Sequence, residues 1–260
     1  MIRPPPLPVD VQEAVADPRV ALVTGASRGI GDRVSRMLRA AGIRVAGISL
    51  SNPAESVERW YQCDVSDPAQ VDITIDQIIA TFGRVDILVN SAGIAESARV
   101  TETSLELWTR ALAVNLTGAF LFMRRIMPMM VSSGWGRIIN IGSTAAKRGE
   151  PQMAAYATSK HALIGLTRSA ALQAPKSGVT INAVCPGAVP TDLLEGVLRE
   201  LSVQADRPIH VGRRVLQSFT PQNRFFDVEE VAALVAFLAS DAARGINGQA
   251  INICGGAITD

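Results

Sequence analysis

Between Arg19 and Ala41 the chain runs from a short apolar stretch, Arg19-Val-Ala-Leu-Val-Thr24, through Gly25-Ala-Ser-Arg-Gly-Ile-Gly31 into a segment with Val34, Met37, Leu38 and Ala41 apolar at helical spacing. That order predicts a strand, a glycine turn and a helix. Glycines let the backbone approach a pyrophosphate closely. The free N–H groups of the helix start, with the helix dipole, favour its negative charge. The turn therefore suits a dinucleotide, with Gly25, Ser27, Arg28, Gly29, Ile30 and Gly31 as candidate contacts. Its spacing is G-x-x-x-G-x-G rather than the commoner G-x-G-x-x-G, so the flanking strand and helix carry the reading.

The alternation continues along the chain. Strands are expected at 42–49, 60–65, 85–90, 136–142, 180–185 and 249–254, with helices at about 68–82, 104–130, 153–174 and 228–239. Strands alternating with helices of ten or more residues predict an α/β chain, with a single doubly wound (Rossmann-type), mostly parallel, seven-stranded sheet and helices on both faces. Residues 19–260 read as one domain behind a mobile proline-rich tail over 1–18. Residues 188–221, weakly amphipathic and broken by Pro190, Pro208 and Pro221, read as a helical substrate lid.

Charge excludes several classes of function. With 25 basic and 24 acidic residues, no global field points to nucleic acid or a membrane surface. Cys63, Cys185 and Cys254 are isolated, which argues against a disulfide framework and for a reducing, cytoplasmic setting. His161 and His210 lie in no ligand pattern, so no metal is expected. No apolar run reaches the roughly 18 residues that span a bilayer.

Tyr156 and Lys160 stand four apart in an Ala/Leu-rich stretch, which puts both on one helical face. A phenol with an ordinary pKa of about 10 is a poor acid or base near neutrality unless something stabilises the phenolate, and an ammonium one turn away could do so. Ser143 follows a β-branched run, so its hydroxyl is expected at a strand's C-terminal end, where open parallel sheets bind ligands. Hydroxyl, phenol and lysine converging there could hold a carbonyl oxygen and exchange a proton with it. Asn115, an amide among Leu112, Val114, Leu116 and Phe120, needs a partner, structural or catalytic.

In Thr24-Gly-Ala-Ser-Arg-Gly-Ile-Gly31, Asp64-Val65, Asn90-Ser-Ala-Gly93, Asn115, Ser143, Tyr156-Ala-Thr-Ser-Lys160 and Pro186-Gly187 with Thr191, the chain resembles the short-chain dehydrogenase/reductase family from about Val20 to Gly256. Within it, Ala21–Gly31 and Gly83–Asn90 look most like ketoacyl reductases and polyketide-type ketoreductases. The resemblance implies that Tyr156 is the general acid or base on an alcohol or ketone oxygen and that Ser143 polarises the carbonyl. Lys160 would lower the Tyr156 pKa and bind the nicotinamide ribose, and Asn115 would hold a water in a proton relay. Asp64 and Val65 would contact adenine, Asn90, Ala92 and Gly93 would line its ribose side, and Pro186, Gly187, Val189 and Thr191 complete the cofactor set. A homotetramer that pairs the long helices around Asn115 and Tyr156 is also implied. Ser91 departs from the second Asn that many members carry.

At the end of the second strand stand Ser49, Leu50 and Ser51, with no acid to bond the ribose hydroxyls of NAD. The serine hydroxyls and Arg28 could hold a 2'-phosphate, so NADP(H) is favoured, with NAD(H) possible. The leading expectation is hydride transfer between a nicotinamide cofactor and a small-molecule ketone or secondary alcohol. The alternatives are a reductase of carrier- or CoA-linked 3-oxoacyl thioesters, with Arg124, Arg125 and Lys147 as a basic rim, and a cofactor-binding sensor without turnover. Arg207, His210, Arg213 and Arg214 read as a solvated basic face rather than as a substrate-anion site.

Overall fold

The computed structural model describes residues 18–52 and 55–259. The expected tail, apart from Pro18, lies outside the described residues. Seven strands form one parallel sheet: β1 Val20–Thr24, β2 Arg44–Ser49, β3 Arg59–Gln62, β4 Ile87–Asn90, β5 Gly136–Ile141, β6 Val179–Pro186 and β7 Ala250–Ile253. Their order is β3-β2-β1-β4-β5-β6-β7. The order reverses between β1 and β4, which leaves a crevice beyond the C-terminal ends of Thr24 and Asn90, the place where such sheets take ligands. In register, Val23 of β1 faces Gly47 of β2 and Val89 of β4.

Side chains alternate between the two faces of each strand, and both faces are buried. Leu22, Ile48 and Ile138 pack with Ile75 and Ile78 of α2 (Pro68–Phe82) and Phe122 and Ile126 of α4 (Gly118–Ser133). On the other face, Ala21, Val23 and Ile139 pack with Val34 and Leu38 of α1 (Gly29–Ala40) and Val231 and Val235 of α8 (Val228–Leu238). Helix limits follow local chemistry. Asp67 caps α2 by accepting from Ala69 N and Gln70 N, Pro68 takes the first helical position, and Gly83 ends the helix in the left-handed region at φ 75°.

The long helix expected over 104–130 is interrupted. α3 spans Leu105–Leu112, a π-helical turn occupies Ala113–Thr117, and α4 begins at Gly118. The wide turn carries Asn115 inward to the backbone of Ile94, a contact with no trace in helical periodicity. Gly118 lets the chain settle on the end of the third strand segment, because a Cβ there would lie 2.9 Å from Val65 O. β3 stops at Gln62 rather than Val65, since Asp64 starts a turn by accepting from Ser66 N and Ser66 Oγ. Residues 188–221 hold α6 (Asp192–Ala205) and α7 (Ile209–Ser218), while α5 spans Ala154–Ala171. Among the described residues no helix is long and apolar enough to cross a membrane.

Candidate active site

The glycine turn is fastened to the neighbouring strand by Thr24, whose Oγ1 accepts from Ser91 N at 3.0 Å and Ala92 N at 3.1 Å. Gly25, at φ 68°, is required there, because a Cβ would stand 2.8 Å from Ala92 N. Arg28 precedes α1 in extended conformation with no side-chain cap on that helix, so the first-turn N–H groups face the crevice. Ser27, Gly29 and Ile30 are half-buried around the turn. Asn90 is buried and donates from Nδ2 to Asn140 Oδ1 at 2.8 Å, while its own Oδ1 has no protein partner. The backbone of 90–93, rather than the Asn90 amide, thus forms the crevice wall.

Ser143, Tyr156 and Lys160 come together beyond β5. Ser143 ends the strand segment and accepts from Ala145 N at 3.1 Å, which fixes its hydroxyl. Burial pushes the Tyr156 phenol up; a hydrogen bond from Ser143 offsets part of the rise, and the nearby Cys185 and Glu150 add to it. Lys160 is buried, donates to Ile141 O at 2.8 Å and sits 5.7 Å from the Tyr156 ring centre. Burial pulls its pKa down to about 8. The expected lowering of the phenol by Lys160 therefore gives way to desolvation, and Tyr156 stands above its ordinary range.

Asn115 braces this group. Its Nδ2 donates to Ile94 O at 2.9 Å and Ser159 Oγ at 3.0 Å, and its Oδ1 accepts from Ile94 N at 2.8 Å. Ser159 Oγ in turn donates to Tyr156 O at 2.7 Å. Both amide hydrogens are spent, and Oδ1 keeps one lone pair. A Cβ at Gly93 would lie 3.2 Å from Asn115 Oδ1 and 3.6 Å from Lys160 Nζ, so glycine keeps the space before both groups clear. Thr24 and Ser159 escape a reading of the sequence, since a hydroxyl staple shows in no spacing.

At the end of β2, Ser49 Oγ donates to Ser51 O at 2.6 Å and accepts from Trp60 Nε1 at 3.0 Å. Its one hydroxyl proton is thus committed, which corrects its expected use as a phosphate donor. Leu50 is exposed and Arg28 pairs with Asp192 of α6. Pro186 ends β6, Gly187 N donates to Ile253 O, Val189 is buried, and Thr191 N donates to Val189 O at 2.8 Å. Asp64 turns onto Ser66 just after β3, and Val65 lies against Gly118. Arg213 pairs with Glu195 of α6.

The arrangement fits a nicotinamide dinucleotide: an uncapped helix start at a turn where a Cβ would clash, and a buried ammonium and an amide oxygen facing a glycine-cleared space. A family model described as Enoyl-(Acyl carrier protein) reductase matches residues 25–257. The D-threitol dehydrogenase of Mycolicibacterium smegmatis is 38% identical over 254 residues, covering 92% of this chain and 93% of that protein. The chain belongs to the short-chain dehydrogenase/reductase family. This short-chain dehydrogenase/reductase is also 36% identical over 246 residues to the 3-oxoacyl-[acyl-carrier-protein] reductase FabG of Escherichia coli, covering 92% of this chain and 96% of that one. A crystal structure of a variant actinorhodin polyketide ketoreductase with NADPH superposes with a TM-score of 0.89 at 33% identity, covering 94% of this chain and 98% of that one. The chain is accordingly an oxidoreductase of this family.

Proposed function

We propose that the chain reduces a ketone to a secondary alcohol with a preference for NADP(H), Tyr156 acting as the proton donor. The observation that carries the reading is the cluster at the end of β5: Ser143 at the strand's end beside Tyr156, with the buried Lys160 one turn further along α5. A bound nicotinamide supplies the hydride. Ser143 donates to the carbonyl oxygen, and Tyr156 gives that oxygen its proton. The phenol is protonated at neutral pH and so can act as the acid; in the reverse reaction the same group takes the proton back. Lys160 binds the nicotinamide ribose, and Asn115 keeps a lone pair for a relay water while fixing Ile94 and the first turn of α5.

The cofactor is held by Gly25, Ser27, Arg28, Gly29, Ile30 and Gly31 at the pyrophosphate, Asp64 and Val65 at adenine, and the backbone of Asn90, Ala92 and Gly93 along the ribose. Pro186, Gly187, Val189 and Thr191 enclose the nicotinamide side. NADP(H) is supported by Arg28 at the turn, by the missing acid after β2, and by the NADPH carried in the similar ketoreductase structure. Residues 19–260 act as one domain, in a cytoplasmic homotetramer, with 188–221 as its lid.

Similarity to FabG supports the carrier-linked thioester reading, while two of the basic residues considered for its rim already have partners. Arg125 bridges to Asp72 and Asp76 of α2, and Lys147 donates to Ala250 O. A nicotinamide-absorbance assay over ketones, alcohols and 3-oxoacyl thioesters decides between these substrates. Tyr156→Phe removes only the phenolic proton, so it is expected to fold, bind cofactor and lose nearly all turnover. Activity within about tenfold of the unmodified chain would remove Tyr156 from the role.

A further inference from the structure

We infer that Asp192 is a specificity-determining residue, which competes with the 2'-phosphate of NADP(H) for the Arg28 guanidinium. The inference rests on the reading of Arg28 as the phosphate's partner. Arg28 Nη1 stands 3.3 Å from Asp192 Oδ2, with the two side chains 75% and 69% exposed, so the pair is open to exchange. Its meeting is built into the backbone. A Cβ at Gly29 would lie 3.2 Å from Thr191 Cγ2, so the glycine turn abuts the start of α6. Thr191, held by its bond to Val189 O, then delivers the next residue to Arg28.

Two arginines of α1 are neutralised differently, and the third, Arg39, donates to the backbone of Glu55. Arg36 pairs with Asp32 of its own helix at 3.0 Å, and Arg33 with Glu229 of α8 at 3.1 Å. Arg28 takes its carboxylate from the start of α6, which the glycine turn abuts. The Ser49 proton is committed to Ser51 O and Leu50 is apolar, so Arg28 carries the larger share of any phosphate recognition here. A phosphate accepts from a guanidinium more strongly than a carboxylate does, and its arrival displaces Asp192. NADH carries no such phosphate and leaves the pair intact. Asp192 therefore lowers the preference for NADP(H) and keeps the chain able to use either cofactor.

The test is a titration of NADPH and NADH fluorescence on the unmodified chain, Asp192→Asn, Arg28→Ala and the double variant, at low salt. Asn keeps the shape of an exposed residue, so folding is not at issue. Asp192→Asn is expected to tighten NADPH by about two- to fivefold, the range of an exposed ion pair, and to leave NADH within a factor of about two. In the Arg28→Ala background the same change is expected to have no effect on NADPH. Unchanged NADPH affinity in Asp192→Asn, equal tightening of both cofactors, or tightening that persists without Arg28 would each overturn the inference. An NADPH-to-NADH ratio unmoved by Arg28→Ala alone would instead remove the reading beneath it.

Discussion

Lys160 is buried in front of a glycine-cleared crevice, and burial holds its pKa at about 8, against an ordinary value near 10.5. While it is protonated, that ammonium destabilises the folded chain, because the unfolded chain binds the same proton more tightly. The sign follows from linkage: between about pH 8 and 10.5 the unfolded state holds more protons, so stability rises with pH across that window. Lys160→Met is therefore expected to stabilise the nucleotide-stripped protein at pH 7 by about 1–3 kcal/mol while abolishing turnover, the gain being offset in part by the lost bond to Ile141 O. Denaturant melts at pH 7 and pH 10.5 check it. A variant less stable at pH 7, or an equal gain at both, would contradict the burial argument. At this scale the sequence exposed Ser143, Tyr156 and Lys160, because strand end and helical spacing are local. It hid Thr24 and Ser159, whose hydroxyls act on partners that only the fold supplies.

Elements were legible where burial is periodic. α2 begins at Pro68 and ends at Phe82 as its proline and glycine dictate, and the strands fall within a few residues of their apolar runs. The π-turn at Ala113–Thr117 was not, since its cause is Ile94, twenty-one residues earlier in the chain. Helices α6 and α7 were expected only as a region, and their anchorage is likewise non-local. Glu200 Oε2 accepts from Ser97 N at 2.7 Å, and Gln204 Nε2 donates to Ser97 O at 2.9 Å, which straps α6 to the loop after β4. That loop also meets the segment before Tyr156, through Ala98 N to Gln152 O at 2.7 Å. If α6 acts as a lid, Glu200→Ala loosens it without touching Tyr156 or the glycine turn. The expected result is a substrate KM raised about fivefold, the worth of ~1 kcal/mol, with kcat nearly unchanged. A fall in kcat at constant KM would argue that the strap positions the chemistry rather than the lid.

For the molecule as a whole, one parallel sheet with two buried faces accounts for the near-continuous apolar strands, and the reversal between β1 and β4 gathers the candidate residues at one edge. The outer faces of α4 and α5 bear on assembly. Opposite its buried Phe122, Ile126 and Met130, α4 presents Phe120, Arg124 and Val131 along one stripe, with Phe120 42% and Val131 40% exposed. Gly165 on α5 meets nothing where a Cβ would project, so that face is open and close approach by another helix is unhindered. A polar helix face would expose neither feature, and pairing with copies of the same chain covers both. These helices also carry Asn115's turn and Tyr156 at their other faces, so assembly would stiffen the site from behind. Sedimentation at micromolar concentration is expected to show four chains. Phe120→Asp, which places a charge in the apolar stripe, is expected to yield smaller species that remain folded. A monomer for the unmodified chain at that concentration would defeat the tetramer, and an unshifted Phe120→Asp would move the interface off α4.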